Sequence, residues 1–208
     1  MTLRGLYAIS DSACCTAAGL KRLEAALRGG ARLLQLRCKP LLPDADWGRA
    51  AVGLGRQFGV PVLVNDDVAY AVAIGADGVH LGRDDGSIRM ARARLGPRAL
   101  IGASCYASLE RARALAGEGA DYLAFGRFFP SATKPDAPPA PLSVLAAARS
   151  LGRPLVAIGG ILPDNGGALL AAGADMLAVI DGVFGQTDIE AAARSYLSLF
   201  GSTDESES

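Results

Sequence analysis

Histidine is almost missing from this 208-residue chain: His80 is the only one. A single histidine cannot build a zinc site, and no catalytic triad stands out around it. His80 lies between Val79 and Leu81 in an apolar run, so it reads as a satisfied core histidine rather than a general base. Lysine is scarce too, with Lys21, Lys39 and Lys134 set against eighteen arginines. Net charge is absent, since 21 basic residues meet 21 acidic ones. That balance excludes a general nucleic-acid binder and a sequence-wide attraction to anionic membranes, while leaving room for a local basic pocket. No apolar run approaches the roughly 20 residues that a membrane helix needs. The opening "MTLRGLYAIS" has neither a long apolar stretch nor a cleavage site, so no signal peptide is expected. The four cysteines, Cys14, Cys15, Cys38 and Cys105, show no CxxC spacing. They read as free thiols in a reducing cytoplasm.

What the chain does have is apolar material. Half of its residues are hydrophobic and a fifth are charged, enough for a large core. One phrase recurs: "GGARLLQLR" at 29–37, "GADGVHLG" at 75–82, "GADYLAFG" at 119–126 and "GADMLAVI" at 173–180. Its Gly-Ala step falls at 30, 75, 119 and 173, the regular spacing of a repeated supersecondary unit. In each copy a glycine ends a helix in a left-handed conformation and the chain turns into a strand. Four further strands lie between, "GLYAIS" (5–10), "PVLVND" (61–66), "ALIGAS" (99–104) and "RPLVAIGG" (153–160). All eight are continuously apolar, as parallel strands covered by helices tend to be. The segments separating them have helical spacing, such as Leu20, Leu23 and Leu27, with Ser108 and Asp164 near helix starts as caps. Eight strand–helix units predict a single (β/α)8 TIM barrel over residues 1–200, in preference to an open doubly wound sheet. Residues 201–208, "GSTDESES", read as a disordered acidic tail.

In such a barrel chemistry sits at the C-terminal ends of the strands. The second strand ends "QLRCKP", where Gln35, Arg37 and Lys39 alternate and so share one side, suited to a diphosphate or merely to a solvated strand end. The third ends with Asn65, Asp66 and Asp67, of which Asp67 reads as a helix cap. The fourth supplies Asp84 and Asp85. Acidic clusters on adjacent strands suggest a hard cation such as magnesium, which takes one or two carboxylates and keeps water and phosphate oxygens. Ser104 tips the fifth strand. The sixth runs into "FGRFFPSATKPDAPP", with Lys134 between hydroxyl residues and prolines. Gly159 and Gly160 end the seventh and let backbone amides approach a ligand, and a helix begins near Pro163. Loops after the seventh and eighth strands are the usual phosphate site of this fold. Two phosphate-compatible regions, one with a metal, point to a two-substrate reaction.

In their order along the chain, "QLRCK", "VNDD", "GVHLG" with Asp85, "GAS" at 102–104, "FPSATKPDAPP", "AIGGI" and the closing "AV" resemble the thiamine-phosphate synthase family over essentially all residues except the tail. The resemblance implies a transferase that condenses 4-amino-5-hydroxymethyl-2-methylpyrimidine diphosphate with 4-methyl-5-(2-phosphoethyl)thiazole, carboxylated or not, into thiamine monophosphate and diphosphate. It assigns Gln35, Arg37, Lys39, Asn65, Ser104 and Lys134 to the pyrimidine diphosphate. Asp66 and Asp85 go to Mg2+, and Ser131, Ala132, Thr133, Gly160, Ile180 and Asp181 to the thiazole phosphate. Lys134, Arg37 and Lys39 would act catalytically on the leaving group. Implied partners are the small-molecule substrates, with no nucleic acid and no membrane, in the cytoplasm; a homo-oligomer is left open. Four positions depart from the family pattern: Arg83 for Gln, Tyr106 for His, Arg127 for Pro, and Asp181 for a small hydroxyl residue. A carboxylate at 181 would repel phosphate unless paired or turned away. A thiazole tautomerase-like paralogue and a non-catalytic phosphate-binding barrel are the alternative readings.

Overall fold

Eight short parallel strands close on themselves in chain order, β1 pairing with β8. The computed structural model describes residues 3–130 and 138–201. The strands are β1 (Gly5–Ile9), β2 (Leu33–Leu36), β3 (Val62–Asn65), β4 (Gly78–Leu81), β5 (Leu100–Tyr106), β6 (Tyr122–Phe125), β7 (Leu155–Ile158) and β8 (Met176–Val179). The helices are α1 (Leu20–Arg28), α2 (Ala45–Phe58), α3 (Val68–Ile74), α4 (Ile88–Leu95), α5 (Leu109–Glu118), α6 (Ser143–Ala148), α7 (Pro163–Ala171), α8 (Asp181–Phe184) and α9 (Ile189–Ser195). This is the expected (β/α)8 barrel. Among the described residues its one extra α-helix is the single turn α8 between β8 and α9. Residues 202–208 of the expected tail lie outside the described residues.

Strand alternation divides the core in two. Tyr7, Ile9, Leu33, Leu63, Tyr122 and Met176 fill the barrel interior. Leu6, Ala8, Leu34, Leu36, Val62 and Val64 point outward and pack under the helices. Both faces of each strand are therefore apolar, which is why the runs do not alternate in sequence.

The Gly-Ala repeat has a common geometry. Gly30, Gly75, Gly119 and Gly173 all have positive φ, between 67° and 111°. In each copy the following alanine amide donates five residues back into the helix: Ala31 to Ala26, Ala76 to Ala71, Ala120 to Leu115 and Ala174 to Leu169. That is the six-to-one bond of a Schellman stop. The aspartate of the three "GAD" copies then reaches the neighbouring strand. Asp77, Asp121 and Asp175 accept hydrogen bonds from the amides of Val62, Ile101 and Leu155, at 2.8, 2.6 and 2.7 Å. The repeat thus pins the N-terminal end of the barrel, opposite the predicted chemistry.

Three expectations are corrected. Cys15 and Cys38 form a disulfide, with Cα atoms 5.7 Å apart, while Cys14 and Cys105 are free and buried. The bridge joins the loop after β1 to the end of β2, two segments that the closed sheet makes neighbours and that sequence spacing does not. β5 continues to Tyr106 through a bulge at Ser104, beyond the expected end at 104. Asp164 lies inside the first turn of α7 and does not cap it; instead the Asn165 side chain accepts from the Leu162 amide at 2.9 Å. Ser108 does cap α5, accepting from Arg111 N at 3.1 Å.

Candidate active site

All eight strands contribute to one cavity of about 510 Å³ at the C-terminal mouth of the barrel. Gln35, Arg37, Lys39, Asn65, Asp66, Asp85, Ser104, Gly160, Ile180 and Asp181 all line it. Ser131, Ala132, Thr133 and Lys134 lie outside the described residues.

β2 delivers the cations. Ser10, buried at the end of β1, accepts a hydrogen bond from Arg37 N at 2.8 Å, and its own amide donates to Gln35 O at 2.9 Å. The backbone that carries Gln35 and Arg37 is thereby fixed from the neighbouring strand. Lys39 follows, and its Nζ stands 2.9 Å from Asp66 Oδ2.

β3 and β4 deliver the carboxylates. Asp66 has a left-handed backbone, φ 67°, as does Tyr106 at φ 57°. Among the described residues these two are the non-glycine positions in that region, and both line the cavity. Such local cost tends to gather at functional sites. Burial works to raise the Asp66 carboxyl, yet Lys39 and a hydrogen bond from Asp85 hold it below the ordinary carboxylate range. Asp85 moves the other way: burial and then its neighbour Asp66 push it up, against the Gly82 amide that donates to it at 2.8 Å. Two crowded carboxyls held apart in proton affinity form the donor set that a hard cation would relieve, because it favours both ionised. Among the described residues no group of three or more His, Cys, Asp or Glu gathers as a metal cage. Two carboxylates match magnesium's habit of completing its shell from water and phosphate. Asp67 caps α3, accepting from Tyr70 N at 2.8 Å, as expected.

On the far side, Gly159 and Gly160 have φ of 105° and 61°. A Cβ on Gly160 would stand 2.2 Å from Pro130 O, and one on Gly159 2.3 Å from Arg127 Cβ. The pair is required by the close passage of the segment after β6, beyond any approach to a ligand. Asp181 opens α8 at the cavity edge. Among the described residues no salt bridge forms to it, so the arginine pairing that would neutralise it is not made there.

Several residues at the site, Tyr7, Tyr122 and Arg111 among them, carry no signal in the sequence. Tyr7 and His80 line the cavity floor, and Tyr122 sits behind them. His80 is satisfied, as expected, but its partners, Tyr122 Oη and Ser104 Oγ, each at 2.9 Å, belong to the site. Burial pushes the Tyr7 and Tyr122 phenols far up, so both hold their protons. Arg111 ties two strand ends, donating to Ser104 O at 2.8 Å and Gly82 O at 3.0 Å. The departing residues Arg83 and Tyr106 meet each other, the guanidinium 4.9 Å above the ring centre.

A family model described as thiamine monophosphate synthase matches residues 6–183. A thiamine-phosphate synthase of Methylobacillus flagellatus is 50% identical over 200 residues, covering 95% of this chain and 96% of the relative. One from Chromobacterium violaceum is 50% identical over 205 residues, covering 96% and 97%. Among solved structures, a thiamine phosphate pyrophosphorylase from Pyrococcus furiosus superposes with a TM-score of 0.85 at 35% identity, covering 96% of each chain.

Proposed function

The chain belongs to the thiamine monophosphate synthase family, and on that premise we propose how its cavity divides between two substrates. Its activity is that of a thiamine-phosphate synthase, a transferase of thiamine biosynthesis. The donor is the aminopyrimidine diphosphate and the acceptor the thiazole phosphate. Gln35, Arg37, Lys39, Asn65 and Ser104, with Lys134, hold the donor. Asp66 and Asp85 would hold Mg2+. Gly160, Ile180 and Asp181, with Ser131, Ala132 and Thr133, line the acceptor site.

The leaving group is diphosphate. When bound, magnesium supplies positive charge to the departing oxygens. Arg37 and Lys39 add cations at the same end of the cavity, and Lys134 would contribute a third charge to the leaving group. Lys39, now paired with Asp66, would turn to the phosphate oxygens of the donor, and Asp66 would be one of the two carboxylates that hold the metal. The pyrimidine methylene becomes carbocation-like, and the thiazole nitrogen attacks it. The cavity contributes by holding the two rings in line, so the reaction needs no activated side-chain nucleophile.

One observation carries the reading: a single cavity sets the cations of β2 against the paired carboxylates of β3 and β4. A thiazole tautomerase has no use for that pairing, and a non-catalytic barrel has no use for the family's reaction. Rates measured with each substrate and magnesium omitted in turn test it. Product should form in the complete mixture alone.

A further inference from the structure

The barrel floor holds a single file of hydrogen bonds that joins the two ends of the donor site. Gln35 Nε2 donates to Tyr7 Oη at 2.5 Å. Tyr7 Oη and Tyr122 Oη are 2.8 Å apart. Tyr122 Oη and His80 Nδ1 are 2.9 Å apart, and His80 Nε2 stands 2.9 Å from Ser104 Oγ. Gln35 and Ser104 are both residues assigned to the aminopyrimidine diphosphate. The three groups between them come from β1, β6 and β4 and have no assigned role.

Each phenol has one proton, which gives the file a direction. An amide nitrogen only donates, so Tyr7 oxygen accepts from Gln35 and must pass its own proton to Tyr122. Tyr122 then donates to His80 Nδ1. A neutral imidazole that accepts at Nδ1 carries its hydrogen on Nε2, and that hydrogen goes to Ser104 Oγ. The serine's own proton is turned away from His80. Running the file backwards is also self-consistent. It requires the Gln35 amide flipped, the other histidine tautomer and every hydroxyl reversed, so no member can change alone.

We propose that Tyr7, Tyr122 and His80 are positioning residues that hold the Gln35 amide in one orientation and aim the Ser104 hydroxyl into the cavity. The proposal rests on reading this cavity as the aminopyrimidine site. An aminopyrimidine offers an amino donor beside a ring-nitrogen acceptor. Gln35 answers with its carbonyl and its second N–H, and swapping them would set donor against donor. Tyr7, Gln35, Tyr122 and His80 are all buried at the base of the cavity, so losing a partner there is costly. The rings are fixed as well. Tyr122 stacks on His80 at 5.6 Å and meets Tyr7 edge-on at 5.8 Å. Gly102 makes the room, since a Cβ there would stand 1.8 Å from Tyr122 Cζ.

His80 being the only histidine, 15N labelling of histidine gives one imidazole to assign in the intact protein. The ring should appear neutral with its proton on Nε2. Tyr122→Phe should lose that tautomer preference. Tyr7→Phe, which keeps the ring and removes one oxygen, should raise KM for the pyrimidine diphosphate roughly tenfold and leave KM for the thiazole phosphate unchanged. A proton on Nδ1 in the unaltered protein would overturn the direction. Equal changes in both KM values, or none, would overturn the positioning role. If the unaltered protein does not use the pyrimidine diphosphate at all, the assignment of the cavity fails, and the tautomer measurement still decides the order of the file.

Discussion

Lys39 Nζ lies 2.9 Å from Asp66 Oδ2, so a cation assigned to the leaving group and a carboxylate assigned to the metal neutralise each other. Opposed charges of the site are thereby stored as a pair. Metal and diphosphate arriving together would satisfy both members, whereas either one alone would leave a charge without its partner. Lys39→Ala should cut kcat/KM for the pyrimidine diphosphate by an amount equivalent to about 2–4 kcal/mol, with thiazole phosphate binding by calorimetry unchanged. Loss of the thiazole affinity instead would mean the two substrate sites are exchanged.

The same pair sets a pH dependence. Asp66 is held below its usual range, so its pairing stabilises the fold above the unfolded aspartate value of about 3.9 and is lost as pH falls through the lower folded value. Denaturant midpoints of the wild type and Lys39→Ala should differ at neutral pH and converge in acid. A gap that persists when Asp66 is protonated would assign the effect of Lys39 to packing.

Asp85→Asn removes a carboxylate proposed to hold magnesium, at the cavity edge and without touching the core. Magnesium-dependent turnover should fall on the order of 10²-fold, with the thermal midpoint little changed. Near-normal rates at limiting magnesium would take Asp85 out of the metal site.

Asp181 lines the cavity at the start of α8. Two unit negative charges ~4 Å apart oppose each other by roughly 4 kcal/mol at an effective dielectric of about 20, before screening. Asp181→Ser should lower KM for the thiazole phosphate and leave that for the pyrimidine diphosphate as it was. Weaker thiazole binding in the variant would show that Asp181 helps to hold the acceptor.

Cys38 stands between Arg37 and Lys39, and its bridge to Cys15 closes a sequence separation of 23 residues. On the loop-entropy relation a closure of that size is worth about 3 kcal/mol. Reduction should lower the urea midpoint accordingly and raise KM for the pyrimidine diphosphate, while Cys15→Ser should make both insensitive to reductant. Identical curves with and without reductant would show that the bridge constrains neither.

The sequence was informative about which residues reach the cavity wherever placement follows the strand rule. Gln35, Arg37 and Lys39 were legible because alternation places them on one side, and Asp66 and Asp85 because adjacent parallel strands end at the same level. The helix stops were legible because Gly30, Gly75, Gly119 and Gly173 repeat one local device. What was illegible depends on barrel closure. Tyr7 and Tyr122 meet across 115 residues, and each alone looks like an ordinary core aromatic. Cys15 and Cys38 lack any local motif. His80 is satisfied, as its apolar flanks imply, but nothing along the chain says that its partners are Tyr122 and Ser104. Asp164 lost its expected capping role because Asn165, one residue on, reaches the Leu162 amide.

The most direct test of the account counts thiamine monophosphate and diphosphate in the same reaction, started by adding magnesium to the protein with both substrates. The two products should appear together, one for one, and neither should form before the metal is added. Thiamine monophosphate without matching diphosphate, or an equal rate in the presence of excess chelator, would contradict the division of the cavity between a metal-held leaving group and a separate acceptor.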